Sequence, residues 1–324
     1  MTIIALVEHL AQRQLSYDTS IWGNWQIQPV PSGNNRLFRA TSPDYDVVVK
    51  FLIRDDRHRA EREWSALTLL QSLNMPLGPR PVYCDRDRLP YAVVVQTWLD
   101  GQTISAPSLD PATWLQILQA YARLHQISPT DIARHAIVFP QIVGISGPEA
   151  EAKEALYKFA QRVPLSKHSV ELAHLLQRVD RLRLPSFSVT PCWCHGDANI
   201  RNILQTPQGI QFVDWEYTCY SDPAAEIALL MTHPLAQAAS DAHWHWMAEQ
   251  YAQLSGEVDM EERIRVQYAL RLVWWYIRLL IGHYVLLAQP THRLAGSGAE
   301  EEISTLQNID HYGTRAHSWL NQLL

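Results

Sequence analysis

The stretch CHGDANIRNIL at residues 194–204, followed by GIQFVDWEY at residues 209–217, sets His195, Asp197, Asn202 and Asp214 around one short turn. Pro207, Gln208 and Gly209 form a turn signal between two apolar runs, so residues 202–206 and 210–214 are expected to pair as an antiparallel hairpin. With Thr206 opposite Ile210, the register puts Asn202 directly opposite Asp214. Opposed residues in such a pair have Cβ atoms roughly 5 Å apart, close enough for an amide oxygen and a carboxylate to share one hard cation. Magnesium prefers such oxygen ligands and keeps waters and substrate phosphates as the others. Asp197 falls just before the hairpin in irregular chain, where its carboxylate can face a hydroxyl nucleophile approaching a metal-bound phosphate.

As a pattern, H-G-D-x-x-x-x-N followed by V-D-W-E resembles the catalytic and metal-binding loops of the aminoglycoside phosphotransferase and choline kinase superfamily. The resemblance implies an α+β, bilobal, protein-kinase-like fold, with an N-lobe antiparallel sheet carrying a helix and a mainly helical C-lobe. It implies Asp197 as the catalytic residue, Asn202 and Asp214 as ligands of Mg2+, and transfer of a γ-phosphoryl group from ATP, or equally GTP, to a small hydroxyl acceptor. That acceptor is an aminoglycoside or a metabolite such as an amino alcohol, sugar or amino acid. Because Asp197 already faces the reaction in that family, His195 reads as a structural histidine bracing the loop. Protein kinases are more distant. Their loop usually reads H-R-D-x-K-x-x-N, whereas Gly196 replaces the Arg here and Asn199 stands where the Lys would be. D-F-G is D-W-E, and no A-P-E follows. These departures favour a small-molecule acceptor over a protein one. Loss of Lys50, Asp197, Asn202 or Asp214 would mark a nucleotide-binding scaffold without turnover, and all four are present.

A kinase-like fold needs a nucleotide-gripping lobe upstream. Residues 46–53 (DVVVKFLI) form a β-branched strand candidate with a single Lys50 on the face of Val48 and Leu52. An isolated ammonium on an apolar strand requires an anionic partner. In the resembling family that lysine contacts the nucleotide phosphates and pairs with a Glu on the next helix. Residues 55–73 read as that helix, and Glu63 shares a face with Leu67 and Leu70, whereas Glu61 falls nearer Ser65 and Thr68 on a wetter face. Glu63 is therefore the expected partner of Lys50. Residues 31–35 (PSGNN) join strand candidates 24–30 and 36–40, where a phosphate-covering loop belongs, which nominates Ser32, Gly33 and Asn34. Residues 91–98 (YAVVVQTW) resemble the strand and hinge between lobes, so backbone near Gln96 and Trp98 would read the base. The expected division is an N-lobe over 1–98 and a C-lobe over 99–324.

The composition is that of a soluble enzyme: 324 residues, 47% hydrophobic and 19% charged, enough for two sizeable cores. A formal net charge of -6 gives no basic footprint for nucleic acid. The first fifteen residues lack a signal-peptide pattern, so the chain is expected in the cytoplasm. The four cysteines are then expected as buried free thiols rather than disulfides. A zinc site from Cys192, Cys194 and His195 is disfavoured, because C-x-C in a strand turns both sulfurs to one face and the adjacent His195 to the other.

After the hinge the pattern turns helical. Residues 110–127 open with an Asp cap and a Pro, and Trp114, Leu118, Tyr121 and His125 follow one face. Residues 148–162 and 166–182 read as further helices. Asp222-Pro223 caps another, in which Glu226 stands where the family often has Asp, with a longer reach. Residues 266–289 are apolar, but Arg271, Arg278 and His283 interrupt them, so a long core helix is expected rather than a membrane span. Trp244, Trp246 and Tyr251 are expected as core or as lining of an acceptor pocket. Asp259, Glu261, Glu262 and residues 300–302 read as solvated faces, and residues 290–298 as a loop before the last helix.

Overall fold

The β-branched run at residues 46–52 sits in the middle of a six-stranded antiparallel sheet. The computed structural model describes residues 1–13, 15–32, 35–104, 110–135, 137–142, 149–183, 187, 189–236, 240–286, 303 and 305–324. The strands are β1 (Ser20–Trp22), β2 (Trp25–Val30), β3 (Arg36–Thr41), β4 (Asp46–Leu52), β5 (Pro81–Asp85) and β6 (Ala92–Thr97), ordered β1-β2-β3-β4-β6-β5. Side chains alternate across β4. Val47, Val49 and Phe51 pack with Val93 and Val95 beneath α1 (Ile3–Gln12), which contributes Leu6, Val7 and Leu10. The opposite face puts Leu52, Ala92 and Val94 against Ala66, Leu67 and Leu70 of α2 (Arg59–Ser72). Covering both faces explains the nearly continuous apolar character of β4 and β6, and each fully buried Val or Leu contributes about 1.5–3 kcal/mol.

From β6 the chain crosses to the helical lobe through Gly101. A Cβ at this position would lie 2.8 Å from Thr206 Cγ2 and 2.9 Å from the Gln205 carbonyl, so only glycine permits the approach. The next two residues form β7 (Gln102–Thr103), which pairs with β9 (Ile203–Thr206). The lobe then builds α3 (Pro111–His125), α4 (Pro129–Arg134), α5 (Glu149–Ala160) and α6 (Ser169–Arg181), followed by α7 (Pro223–Thr232), α8 (Asp241–Ser255), α9 (Met260–Ile281) and α10 (Leu306–Leu323). Asp110 caps α3 as expected, accepting from Thr113 N at 2.8 Å. Helix α9 is the spine of the lobe, buried along most of its length and packed by α7, α8 and α10. Among the described residues no helix is long and apolar enough to cross a membrane. Trp244 and Tyr251 are core residues and Trp246 is partly buried. Residues 290–298 and 300–302 lie outside the described residues.

Two small sheets hold the loop region. Strand β8 (Cys192–Cys194) pairs with β11 (Cys219–Ser221), and β9 pairs with β10 (Gly209–Phe212). The hairpin register differs by one residue from the sequence expectation: Thr206 faces Gly209, so Asn202 falls opposite Val213 instead of Asp214. The turn is made by Pro207 and Gln208 alone. Thr206 Oγ1 accepts from Gln208 N at 3.1 Å and donates to the Gly209 carbonyl at 2.9 Å, which draws Gly209 into the strand.

Candidate active site

Three distant segments converge beneath the six-stranded sheet. Lys50 of β4 is buried, and its Nζ lies 2.8 Å from Glu63 Oε2 on α2 and 3.4 Å from Glu216 Oε2, and hydrogen-bonds to Asp214 Oδ1. The expected Lys50–Glu63 ion pair therefore forms, while Glu61 is half-exposed. Burial opposes the ammonium charge, but the Asp214, Glu63 and Glu216 carboxylates outweigh it and hold Lys50 well above the usual lysine range. Burial pushes Glu63 in the upward direction, with Lys50 pulling against it.

Asp214 occupies a left-handed backbone conformation, φ 67°, which Asp tolerates better than most residues. It turns the chain out of β10 into a short 3-10 helix, Trp215–Tyr217. Buried Trp215 anchors that turn: its indole N–H donates to the Phe212 carbonyl at 3.0 Å and its ring stacks on Trp193. The turn carries Glu216 inward, where Oε2 accepts from Asn35 Nδ2 at 2.8 Å and Oε1 from Arg59 at 3.3 Å. Ser32 Oγ donates to the Asn35 carbonyl, which ties the segment before β3 to the same carboxylate. Gly33 and Asn34 lie outside the described residues.

Asp197 is enclosed by the loop that precedes the hairpin. Its Oδ2 accepts from Asn202 Nδ2 at 2.9 Å, and its N–H donates to His195 Nδ1 at 3.3 Å. Burial first, then Asp214 and Glu216, push its carboxyl up to about 7, against the pull of Asn202 and Lys50. Gly196 has φ 84°, and a Cβ there would overlap the Tyr217 carbonyl, so glycine is a steric requirement of the loop. His195 is fully buried, with Nε2 bonded to the Val213 carbonyl at 3.0 Å and its ring against Phe212 and Trp215, in keeping with a bracing role.

The loop is also fixed by Glu226 of α7. Its carboxylate accepts from His195 N at 3.1 Å, Gly196 N at 2.5 Å and His125 Nε2 at 2.7 Å. The longer side chain thus reaches the backbone that a shorter Asp would approach. Gln96 lies within β6, paired to Val48 and Pro81, and the Trp98 N–H donates to the Asp46 carbonyl at 2.9 Å. That N–H is engaged inside the N-lobe. It is not offered to a ligand.

A sequence model of the phosphotransferase enzyme family matches residues 26–262, which include every element of this arrangement. The chain belongs to that family. As a member it is a small-molecule kinase, a phosphotransferase with a hydroxyl acceptor. Solved structures agree on the fold. A candidate aminoglycoside phosphotransferase of Ralstonia eutropha superposes with a TM-score of 0.67 at 14% identity, covering 100% of this chain and 99% of that one. Spectinomycin phosphotransferase, solved with ADP and spectinomycin, gives 0.64 at 13% identity over 98% and 99% of the two chains. A choline kinase of Streptococcus pneumoniae gives 0.58 at 16% identity over 98% of both. Among curated protein sequences none matches significantly.

Sequence reasoning left Glu216, Arg59 and Asn35 unweighed in this phosphotransferase. The available signal was the carboxylate of D-W-E two positions after Asp214, which on a short turn must point back toward the same pocket. Arg59, buried in the first turn of α2 and paired with Asp55 at 2.7 Å, was the second.

Proposed function

We propose that this kinase transfers the γ-phosphoryl group of ATP to a hydroxyl of a small acceptor, with Asp197 as the catalytic residue. The observation that carries the reading is the meeting of Lys50 and Asp214, 164 residues apart in sequence, beside the Asp197–Asn202 pair. Neighbours of the same fold captured with ADP or GDP support a nucleotide donor. In this reading Lys50, held by Glu63, positions the phosphates. Ser32, Gly33 and Asn34 cover them, and the chain near Gln96 and Trp98 borders the base at the boundary between lobes 1–98 and 99–324.

The donor set fits magnesium. Lys50 faces three carboxylates, Glu63, Asp214 and Glu216, of which Glu216 also meets Arg59, and their oxygens lie within 4.8 Å of one another. Of these Asp214 is the accessible one, its side chain 34% exposed against 0% and 2% for Glu63 and Glu216, so a cation arriving from solvent meets Asp214. Asn202 points its NH2 at Asp197, which turns its amide oxygen away as a further hard donor. Asn202 and Asp214 would hold such an ion, which when bound would supply neutralisation of phosphate charge. Asp197, raised toward neutrality, orients the acceptor hydroxyl and takes its proton late in the transfer.

Asp197→Asn keeps the side-chain size and removes the charge. Turnover of an acceptor drawn from a panel of aminoglycosides, amino alcohols, sugars and amino acids is expected to fall about 100-fold to 10,000-fold, with nucleotide affinity unchanged. Parent-rate turnover by the variant would remove Asp197 from the reaction.

A further inference from the structure

Strand β8 carries Cys192 and Cys194 on the face opposite His195, and Cys219 stands directly across from Cys194 on β11. All three thiols are free, buried and packed together. His125 of α3 closes over them, so that one ring nitrogen and the sulfurs of Cys192 and Cys194 lie within 4.8 Å of one another. The two sulfurs are 3.7 Å apart. A tetrahedral ion with metal–sulfur bonds of about 2.3 Å holds two sulfurs about 3.8 Å apart.

We propose that His125, Cys192 and Cys194 form a binding site for a thiophilic divalent metal ion of the zinc class, with Cys219 as the thiol available for a fourth position. The donor set of thiolates and imidazole is soft and distinct from the oxygen donors around Asp214. His125 is already oriented as metal-bound histidines are, donating its Nε2–H to the Glu226 carboxylate at 2.7 Å. That leaves Nδ1, now hydrogen-bonded with the Tyr251 hydroxyl, as the nitrogen whose lone pair an ion would take once that hydroxyl turns aside. The C-x-C motif looked unsuited to zinc because its sequence neighbour His195 points the other way and no paired C-x-x-C stands elsewhere. The histidine comes from α3 instead. An ion here would tie the strand that enters the catalytic loop to α3, outside the reaction itself.

The same sulfur spacing also fits a hydrogen bond between two free thiols, and the experiment separates the two. The full chain, reduced and freed of metal by chelation, is titrated with Co2+. The expected result is a thiolate-to-cobalt charge-transfer band that saturates at one ion per chain and disappears on adding Zn2+. Cobalt at the oxygen donors around Asp214 gives no such band. Cys192→Ser and Cys194→Ser each lose it, and Cys84→Ser, on β5 of the N-lobe, retains it. In the unmutated chain, Zn2+ protects Cys192 and Cys194 from a thiol reagent while half-buried Cys84 reacts regardless. This second readout needs no variant to fold. No charge-transfer band in the parent chain, a band that survives both serine substitutions, or thiol reactivity that ignores Zn2+ overturns the proposal.

Discussion

On the flank of the Asp197 loop that faces the six-stranded sheet, one ammonium, Lys50, meets three carboxylates, and Arg59 is shared between one of them, Glu216, and Asp55. On the other flank one carboxylate, Glu226, receives three N–H donors, from His195, Gly196 and His125. The first arrangement carries surplus negative charge beside the partly exposed Asp214, where the proposed cation would enter. The second is closed: burial raises Glu226, but His125, His195 and the Gly196 N–H together outweigh it and hold the carboxyl below its usual range. Charge left unbalanced marks where ligands enter, and charge fully satisfied marks what holds the backbone still.

The largest expected effect tests the unbalanced flank. Asp214→Ala should abolish the magnesium-dependent part of nucleotide binding, with a modest fall in melting temperature, since Ala tolerates the left-handed backbone less well than Asp and Lys50 loses one ion-pair partner. Calorimetric titration with and without magnesium measures the first, and an unchanged magnesium dependence would break the contrast. Glu226→Gln tests the closed flank and should do the reverse. Removing the charge opposite buried His125 is expected to cost about 3–5 kcal/mol of stability, read by denaturant unfolding, and to lower turnover with nucleotide affinity retained. A variant as stable as the parent would show that the loop needs no such brace. Third, Lys50→Ala and Glu63→Ala should be non-additive in turnover, with a coupling of about 0.5–3 kcal/mol. Additive losses would mean that the pair does not act as a unit.

The smallest effect contrasts two buried histidines. His125, beside Glu226 and Cys192, is raised despite burial, so its contribution to stability is present at low pH and is lost as pH rises through its folded value. His233, at the end of α7 against Trp275, meets no carboxylate among the described residues, and burial and Arg201 push it down to about 3. Its unfolded form takes a proton that the folded form refuses, so stability falls as pH drops below the ordinary histidine value. The loss attributable to His233 is about 2 kcal/mol at about pH 5. His233→Gln should flatten that acid limb in unfolding measured across pH, and an unaltered slope would assign the limb to other groups.

The lobes, β4, α2 and the Lys50–Glu63 pair were legible because a strand period and a helix period each leave one polar residue on an apolar face. The hairpin was legible in kind but not in register. Whether Gly209 belongs to the turn or the strand depends on Thr206 bonding across it, and Asn202 sits in a 3-10 turn, Ile200–Asn202, where strand alternation no longer applies. Glu216's partners Asn35 and Arg59, and the approach of His125 to Cys192 and Cys194, arise from packing between elements far apart in sequence. No local pattern encodes them.

Gly196 also bears on regulation. Where protein kinases place an arginine, the Tyr217 carbonyl fills the space a side chain would need. Between Asp214 and α7, moreover, the chain is tied down throughout, by the 3-10 turn, by β11 paired to β8, and by Asp222 capping Ala224 N at 2.9 Å. Switching by phosphorylation works by ordering a free segment against a waiting cation, and this stretch has neither the slack nor the arginine. The loop around Asp197 is therefore braced by contacts already present in the folded chain, and any control exerted on it would have to act by some other means than ordering this stretch.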